Sequence, residues 1–271
     1  MKTLRRRAGV VAAIWAVMHM GSSALASEPT VLDRIVSSGE MRVALSGRQA
    51  PYNAMSRDGE LIGLEVELAR LLGEALGVNV VFVTRPFPSL LDALREGEAD
   101  MVMSGMAITA QRNLKFAFAG PYLMSGKAIL TKSETLAAAE TASDLDKPEL
   151  RLVALAGSTS QRFVERRLPQ AQLKTTTNYD SAVLRVLDGH ADALVADLPA
   201  CRLAVLRFPE EGLLTLDSPL IVEPIGIALP ASDPLLLNLI ENYLNALEST
   251  GALGDLRRKW LEDGSWVKLL P

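Results

Sequence analysis

The chain has 271 residues, 49% of them hydrophobic, and a formal net charge of −4 at pH 7. That is a globular composition, with enough length for one large or two modest domains. The acidic balance, with no basic run after residue 26, argues against nucleic acid as a partner, and a single cysteine, Cys201, excludes an intramolecular disulfide.

Residues 1–26 read as a cleavable signal peptide outside the fold. Lys2, Arg5, Arg6 and Arg7 form a basic start, Val10–Met20 is an apolar core too short to span a membrane comfortably, and Ala24-Leu25-Ala26 is a small-x-small cleavage site. A retained membrane anchor is the competing reading. Cleavage after Ala26 would remove four positive and no negative residues, leaving a net charge of about −8. It would also remove His19, so His190 becomes the only histidine. One His and one Cys are too few for a zinc site, and neither metal nor cofactor is expected. A Ser-His or Cys-His nucleophile pair would have to use His190.

Val31–Ser38, stopped by Gly39, predicts a short helix. Met41–Leu45 predicts a strand, and Ser46–Tyr52 the loop at its end. After a turn at Asp58-Gly59, Gly63 leads an amphipathic helix that ends near Gly77. Asn79–Val83 is β-branched and strand-like, and Pro86–Leu94 predicts a helix. Alternation of strand and helix implies a mostly parallel sheet covered on both faces, with ligands gathering at the carboxyl ends of its strands. Ser46–Tyr52, Phe87 and Ser104–Arg112 all fall at such ends.

Asp100–Tyr122 carries the strongest local signal. Met101–Met103 suits a buried strand, Ser104-Gly105 ends it, and Thr109 stands as the N-cap of a helix whose first turn is Ala110, Gln111 and Arg112. Backbone N–H groups and a helix dipole would converge there on an anion, and the Arg112 guanidinium matches a carboxylate. A capped helix with a solvated arginine is the simpler account of Thr-x-x-Arg alone.

Further along, Ala128–Thr131 is strand-like, and Ser133–Leu145 is Ala-rich without strong periodicity. Leu152–Leu155 predicts a strand, followed by Ala156–Ser160 and a helix from Gln161. This repeats the strand, hydroxyl and helix-start design, although ordinary capping by Ser158 or Thr159 explains the local sequence equally well. Gln172–Thr177 predicts a strand and Asp180–Leu187 a helix. Ala193–Ala196 predicts a buried strand, and Asp197-Leu198-Pro199 starts the next helix. Asp197 can cap that helix and also face a cleft. Pro219–Leu229 is a long apolar run. Asp233 caps a helix over Leu235–Ser249, Leu253–Trp260 is a last helix, and Gly264–Pro271, with Trp266, is a terminal extension expected to dock on the body.

The string SGMAITAQR followed by FAFAGPY resembles the signature of the family 3 periplasmic solute-binding proteins, the polar amino-acid receptors of ABC importers. Gly63–Leu68 and Gly189–Asp197 resemble two further segments of that family. The resemblance implies an α/β, two-lobed type II periplasmic binding protein, each lobe a mostly parallel sheet flanked by helices, joined by two crossover strands. Lobe one would be residues 27–123 plus 225–271 and lobe two residues 124–224, with hinges near 122–126 and 221–225. Arg112, backbone N–H groups at Gly105 and Ala107, and Thr159 with Ser158 would hold a ligand carboxylate. Asp197 would hold its ammonium. Tyr52 and Phe87 stand at family positions that touch ligand, and a core role for Phe87 competes closely. Ala107 replaces the family's usual Thr or Ser, Gln49 replaces an aromatic, and Ser46 replaces the acid of receptors for basic amino acids, which disfavours such ligands. The resemblance further implies a periplasmic monomer that delivers a small molecule to an inner-membrane ABC permease.

Two other functions share this pattern. Periplasmic cyclohexadienyl dehydratases resemble the chain in the Leu32–Ile35 opening and the Pro121–Leu123 segment. Their catalytic Glu follows the second cradle, where this chain has Gln161, which cannot transfer a proton as a carboxyl does. An enzyme is therefore not expected. A sensor or accessory protein without an importer would carry the same cleft.

Overall fold

The computed structural model describes residues 29–271, and the expected signal peptide, residues 1–26, lies outside the described residues. The strands are β1 Glu40–Leu45, β2 Arg48–Gln49, β3 Asn53–Met55, β4 Leu61–Ile62, β5 Asn79–Thr84, β6 Met101–Val102, β7 Phe116–Thr131, β8 Arg151–Leu155, β9 Gln172–Thr176, β10 Ala193–Asp197, β11 Leu214–Thr215 and β12 Ile221–Pro230. The α-helices are α1 Val31–Ser38, α2 Leu64–Leu76, α3 Leu90–Arg95, α4 Ala110–Asn113, α5 Glu134–Ala137, α6 Thr159–Arg167, α7 Tyr179–Leu187, α8 Leu198–Arg207, α9 Pro234–Ser249 and α10 Ala252–Arg257.

Local chemistry sets most of these boundaries. Thr30 and Asp33 form a capping box at the start of α1, and Gly39, at φ 67°, ends that helix in the left-handed region. Asp233 caps α9 by accepting from the Leu236 amide, and the same carboxylate accepts from Leu32 N, tying α9 to α1. Ser158, one of the two capping residues the sequence offers, caps α6, which starts at Thr159, two residues before the predicted Gln161.

The main sheet runs β5-β1-β6-β12-β7-β10-β8-β9, with β11 beside β7. β1 is parallel to β5 and β6, and β8 is parallel to β9 and β10. Two parallel halves are thus joined through β7 and β12, which pair antiparallel along most of their length. The stretches 122–126 and 221–225 lie side by side there, with Gly126 opposite Val222 and Leu123 opposite Ile225. A small separate sheet, β2-β3-β4, sits beside the first half.

Two apolar clusters form the interior. One joins Ala44, Leu90 and Val102 of the first half to Val153, Phe163 and Val195 of the second. The other gathers Leu68, Met101 and Ile240 with Trp260 and Trp266 near the C-terminus. No described helix is long and apolar enough to cross a membrane.

Several expectations change. The strand predicted at Ala128–Thr131 is the end of a sixteen-residue strand, because Phe116–Met124 also pairs with β12. Ser133–Leu145 contains two short helical turns, each led by a hydroxyl cap. The helix after Thr109 is a single turn of four residues. A helix that short sums few peptide dipoles, so the predicted dipole at this cradle is small.

Candidate functional site

Thr109 does what its position predicts: its side chain accepts from the Arg112 amide and closes the one-turn helix α4. That fixes where the Arg112 side chain begins. The guanidinium is 7% exposed and donates to Ala107 O at 2.7 Å and to Gly157 O at 3.5 Å. The first carbonyl belongs to its own cradle and the second to the β8–α6 turn of the other half. Both are neutral. Among the described residues no carboxylate lies within ion-pair distance of Arg112. Burial, and then the like charge of Arg162, lower its pKa to about 10, while Glu223 and Asp197 oppose that shift. Arg112 remains a cation at neutral pH, and it lies within electrostatic reach of both carboxylates.

Asp197 ends β10 at the N-cap position of α8, but its side chain makes no capping hydrogen bond. It is 3% exposed and faces Lys127, whose Nζ donates to Asp197 Oδ1 at 2.6 Å. Tyr179 OH donates to the other carboxylate oxygen at 3.4 Å. The Lys127 ammonium also lies 3.0 Å from Glu223 Oε2. Thr159 Oγ1 donates to that same Glu223 oxygen at 2.6 Å. Burial works against the Lys127 ammonium, but the Asp197 and Glu223 carboxylates outweigh it and hold its pKa above the ordinary value.

The remaining predicted residues are tied up in different ways. The Gly105 amide is not free for a ligand: it donates to Glu65 Oε1 at 2.6 Å. Glu65 also accepts from Asn53 Nδ2 at 2.6 Å and from the Tyr122 hydroxyl. Ala107 bridges to Ile225, so its backbone helps to join the cradle to β12. Ser158 caps α6, and its hydroxyl donates to Leu155 O at 2.6 Å. Thr159 is turned to Glu223. Phe87 belongs to the apolar cluster with Leu90 and Leu94, which favours its core role. Tyr52 is fully buried against Gly105, with its hydroxyl 3.3 Å from Ser125 Oγ. Gln49 is buried and accepts from Ser104, and Ser46 Oγ lies 2.9 Å from Gln49 Oε1. A cavity of about 310 Å³ is lined by Ser46 with Arg48, Arg85 and Asn178. Another of about 400 Å³ lies between the β2–β3 hairpin and helices α7 and α8. Neither cavity is lined by Arg112 or Asp197.

The structure therefore brings Arg112, Thr159 and Asp197 into one buried charged cluster, and it changes the cluster's membership. Lys127, Glu223 and Glu65 were not singled out from the sequence as site residues. A signal existed for two of them. Lys127 is the single charge between Gly126 and the apolar run Ala128–Leu130, and Glu223 is the single charge in Pro219–Leu229. A lone charge in a buried strand needs a partner.

Gln161 accepts from Gly157 N at 2.8 Å and donates to Glu165 Oε1 at 2.8 Å. Its amide thus ties the turn before α6 to the helix's second turn.

Residues 41–263 match the bacterial extracellular solute-binding proteins, family 3. The cyclohexadienyl dehydratase of Pseudomonas aeruginosa is 27% identical over 93% of this chain and 94% of its own length. The L-cystine-binding protein TcyJ of Escherichia coli strain K12 is 26% identical over 92% of each chain. Among solved structures, a putative binding component of an ABC transporter from Wolinella succinogenes, complexed with lysine, superposes with a TM-score of 0.80 at 34% identity, covering 85% of this chain and 99% of that one. The architecture is that of the type II periplasmic binding proteins.

Proposed function

This chain belongs to the bacterial extracellular solute-binding proteins, family 3, and from that premise we propose that it is a periplasmic receptor for an amino acid or a related small carboxylate. The ligand binds between two lobes hinged where 122–126 runs beside 221–225, and the receptor hands it, as a monomer, to an inner-membrane ABC permease. Arg112 carries the reading. A buried guanidinium held by two carbonyls and by no carboxylate is a charge waiting for an anion. Its two carbonyl partners come from opposite halves, so an anion bound there would favour closure.

Gln161, standing where the resemblance places the dehydratases' catalytic Glu, supports binding without turnover, because an amide cannot transfer a proton as a carboxyl does. The similarity to the Pseudomonas aeruginosa dehydratase supports the second reading, an enzyme of that type. Dehydration of prephenate or arogenate by the purified protein would replace the receptor reading with it.

A thermal-shift screen of amino acids, amines and small carboxylates on the mature protein tests the receptor. A ligand at a hundred times its dissociation constant adds about 2.7 kcal/mol of stability, so the melting temperature should climb with concentration. Arg112→Ala should cost about 2–5 kcal/mol of binding and erase the shift. If no zwitterion or carboxylate raises the melting temperature, and Arg112→Ala behaves as the wild type, the receptor reading is wrong.

A further inference from the structure

Lys127 stands directly opposite Asp197 in the antiparallel pairing of β7 with β10, so the register of two buried strands sets their ion pair. Lys127 also faces Ile221, two residues before Glu223, across the β7–β12 pairing. The ammonium is therefore held from both sides. Its side chain is 2% exposed.

Both Asp197 oxygens are engaged, one by Lys127 and one by Tyr179. The Glu223 oxygen nearest the cluster is shared by Lys127 and Thr159. Both carboxylates thus pair with Lys127, and Arg112 lies within their electrostatic reach without an ion pair to either. Arg162 stands close enough to Arg112 to oppose its charge, and donates to Gln111 Oε1 at 3.0 Å. Among the described residues Arg162 has no carboxylate within ion-pair distance, and its other terminal nitrogen is buried without a partner. Arg112 and Arg162 are thus two guanidiniums with no paired carboxylate among the described residues, while Asp197 and Glu223 are already held by Lys127.

Resting on the receptor reading above, we propose that the Lys127 side chain occupies the ammonium subsite of this cleft, so that the protein selects small carboxylates that lack a free amino group. A carboxylate alone supplies the anion that Arg112 and Arg162 lack. A zwitterion brings a second ammonium to an aspartate that is already neutralised. It must either sit beside Lys127, against like-charge repulsion, or expel Lys127 from its two carboxylates into an apolar interior. Lys127 thereby acts on specificity through Asp197.

Matched pairs that differ only in the amino group provide the test: phenylalanine and phenylpyruvate, glutamate and 2-oxoglutarate, leucine and 4-methyl-2-oxopentanoate. Isothermal titration calorimetry on the mature wild type should show at least one 2-oxo acid binding more than tenfold tighter than its amino-acid partner, with no pair reversed. Lys127→Met, which keeps the length and removes the charge, should shift that ratio more than tenfold toward the amino acid by exposing Asp197. Should Lys127→Met fail to fold, the wild-type ratios still decide. Amino acids that bind as tightly as their 2-oxo partners, or tighter, overturn this inference and leave the receptor reading intact. A preference unchanged by Lys127→Met overturns the role given to Lys127. Binding by neither member of any pair, with Arg112→Ala equally silent, overturns both readings.

Discussion

Glu65 is fully buried, and burial raises its pKa to about 7 even though hydrogen bonds from Tyr122, Gly105 and Asn53 pull the other way. The folded protein therefore holds this proton more tightly than the unfolded chain does. Its stabilising effect is complete below about pH 4.5 and falls by about 3 kcal/mol as the pH rises to about 7. Urea titrations of the wild type and of Glu65→Gln, compared between about pH 5 and about pH 7.5, should show the wild type losing about 2 kcal/mol relative to the variant. A difference independent of pH would refute the assignment. At this scale the places of Arg112 and Asp197 were legible, Arg112 in the first turn of a capped helix and Asp197 at the end of a strand. What each one touches was not. Asp197 reads as a cap in the sequence, yet its carboxylate bypasses the helix amides, and the reason is Lys127, seventy residues earlier in the chain.

Among the elements, the C-terminal extension acquires a definite role. Trp266 packs on Trp260 with ring centroids 5.0 Å apart and planes inclined at 59°. The backbone beyond it is gripped from both halves. Arg57 uses its amide and Nε on Leu269 O and Leu270 O, at 2.9 Å and 2.7 Å. Arg207 of α8 reaches Pro271 O at 2.8 Å. The extension is thus a strap as well as a plug for the cluster around Trp260. Trp266→Ala should cost about 3–5 kcal/mol in the urea midpoint analysis, mostly from the space left against Trp260. A loss under about 1 kcal/mol would mean that the extension only lies on the surface. Docking itself could be expected from an aromatic in a short tail. The two arginine clamps could not, since neither Arg57 nor Arg207 is near the tail in sequence.

For the whole molecule, the tight approach of β7 to β12 is the critical joint. A Cβ at Gly126 would lie 2.3 Å from Ile221 O and 2.5 Å from Pro219 Cβ, so any side chain there forces the strands apart. Gly126→Ala should lower stability by about 1–3 kcal/mol. It should also weaken ligand binding, because the neighbouring Lys127 moves with the backbone. Urea denaturation and calorimetry would read the two effects, and a variant matching the wild type in both would show that this joint tolerates separation. The sequence alone determined the alternation of strand and helix, the caps at Thr109 and Asp233, and the likeness to family 3, because these depend on residues within a few positions of one another. Only the tertiary structure decided how the charges pair. Lys127, Asp197, Glu223 and Thr159 come from four distant segments, and a buried ion pair depends on which strand lies beside which and in what register. That register is set by packing over the whole sheet, and no local pattern encodes it.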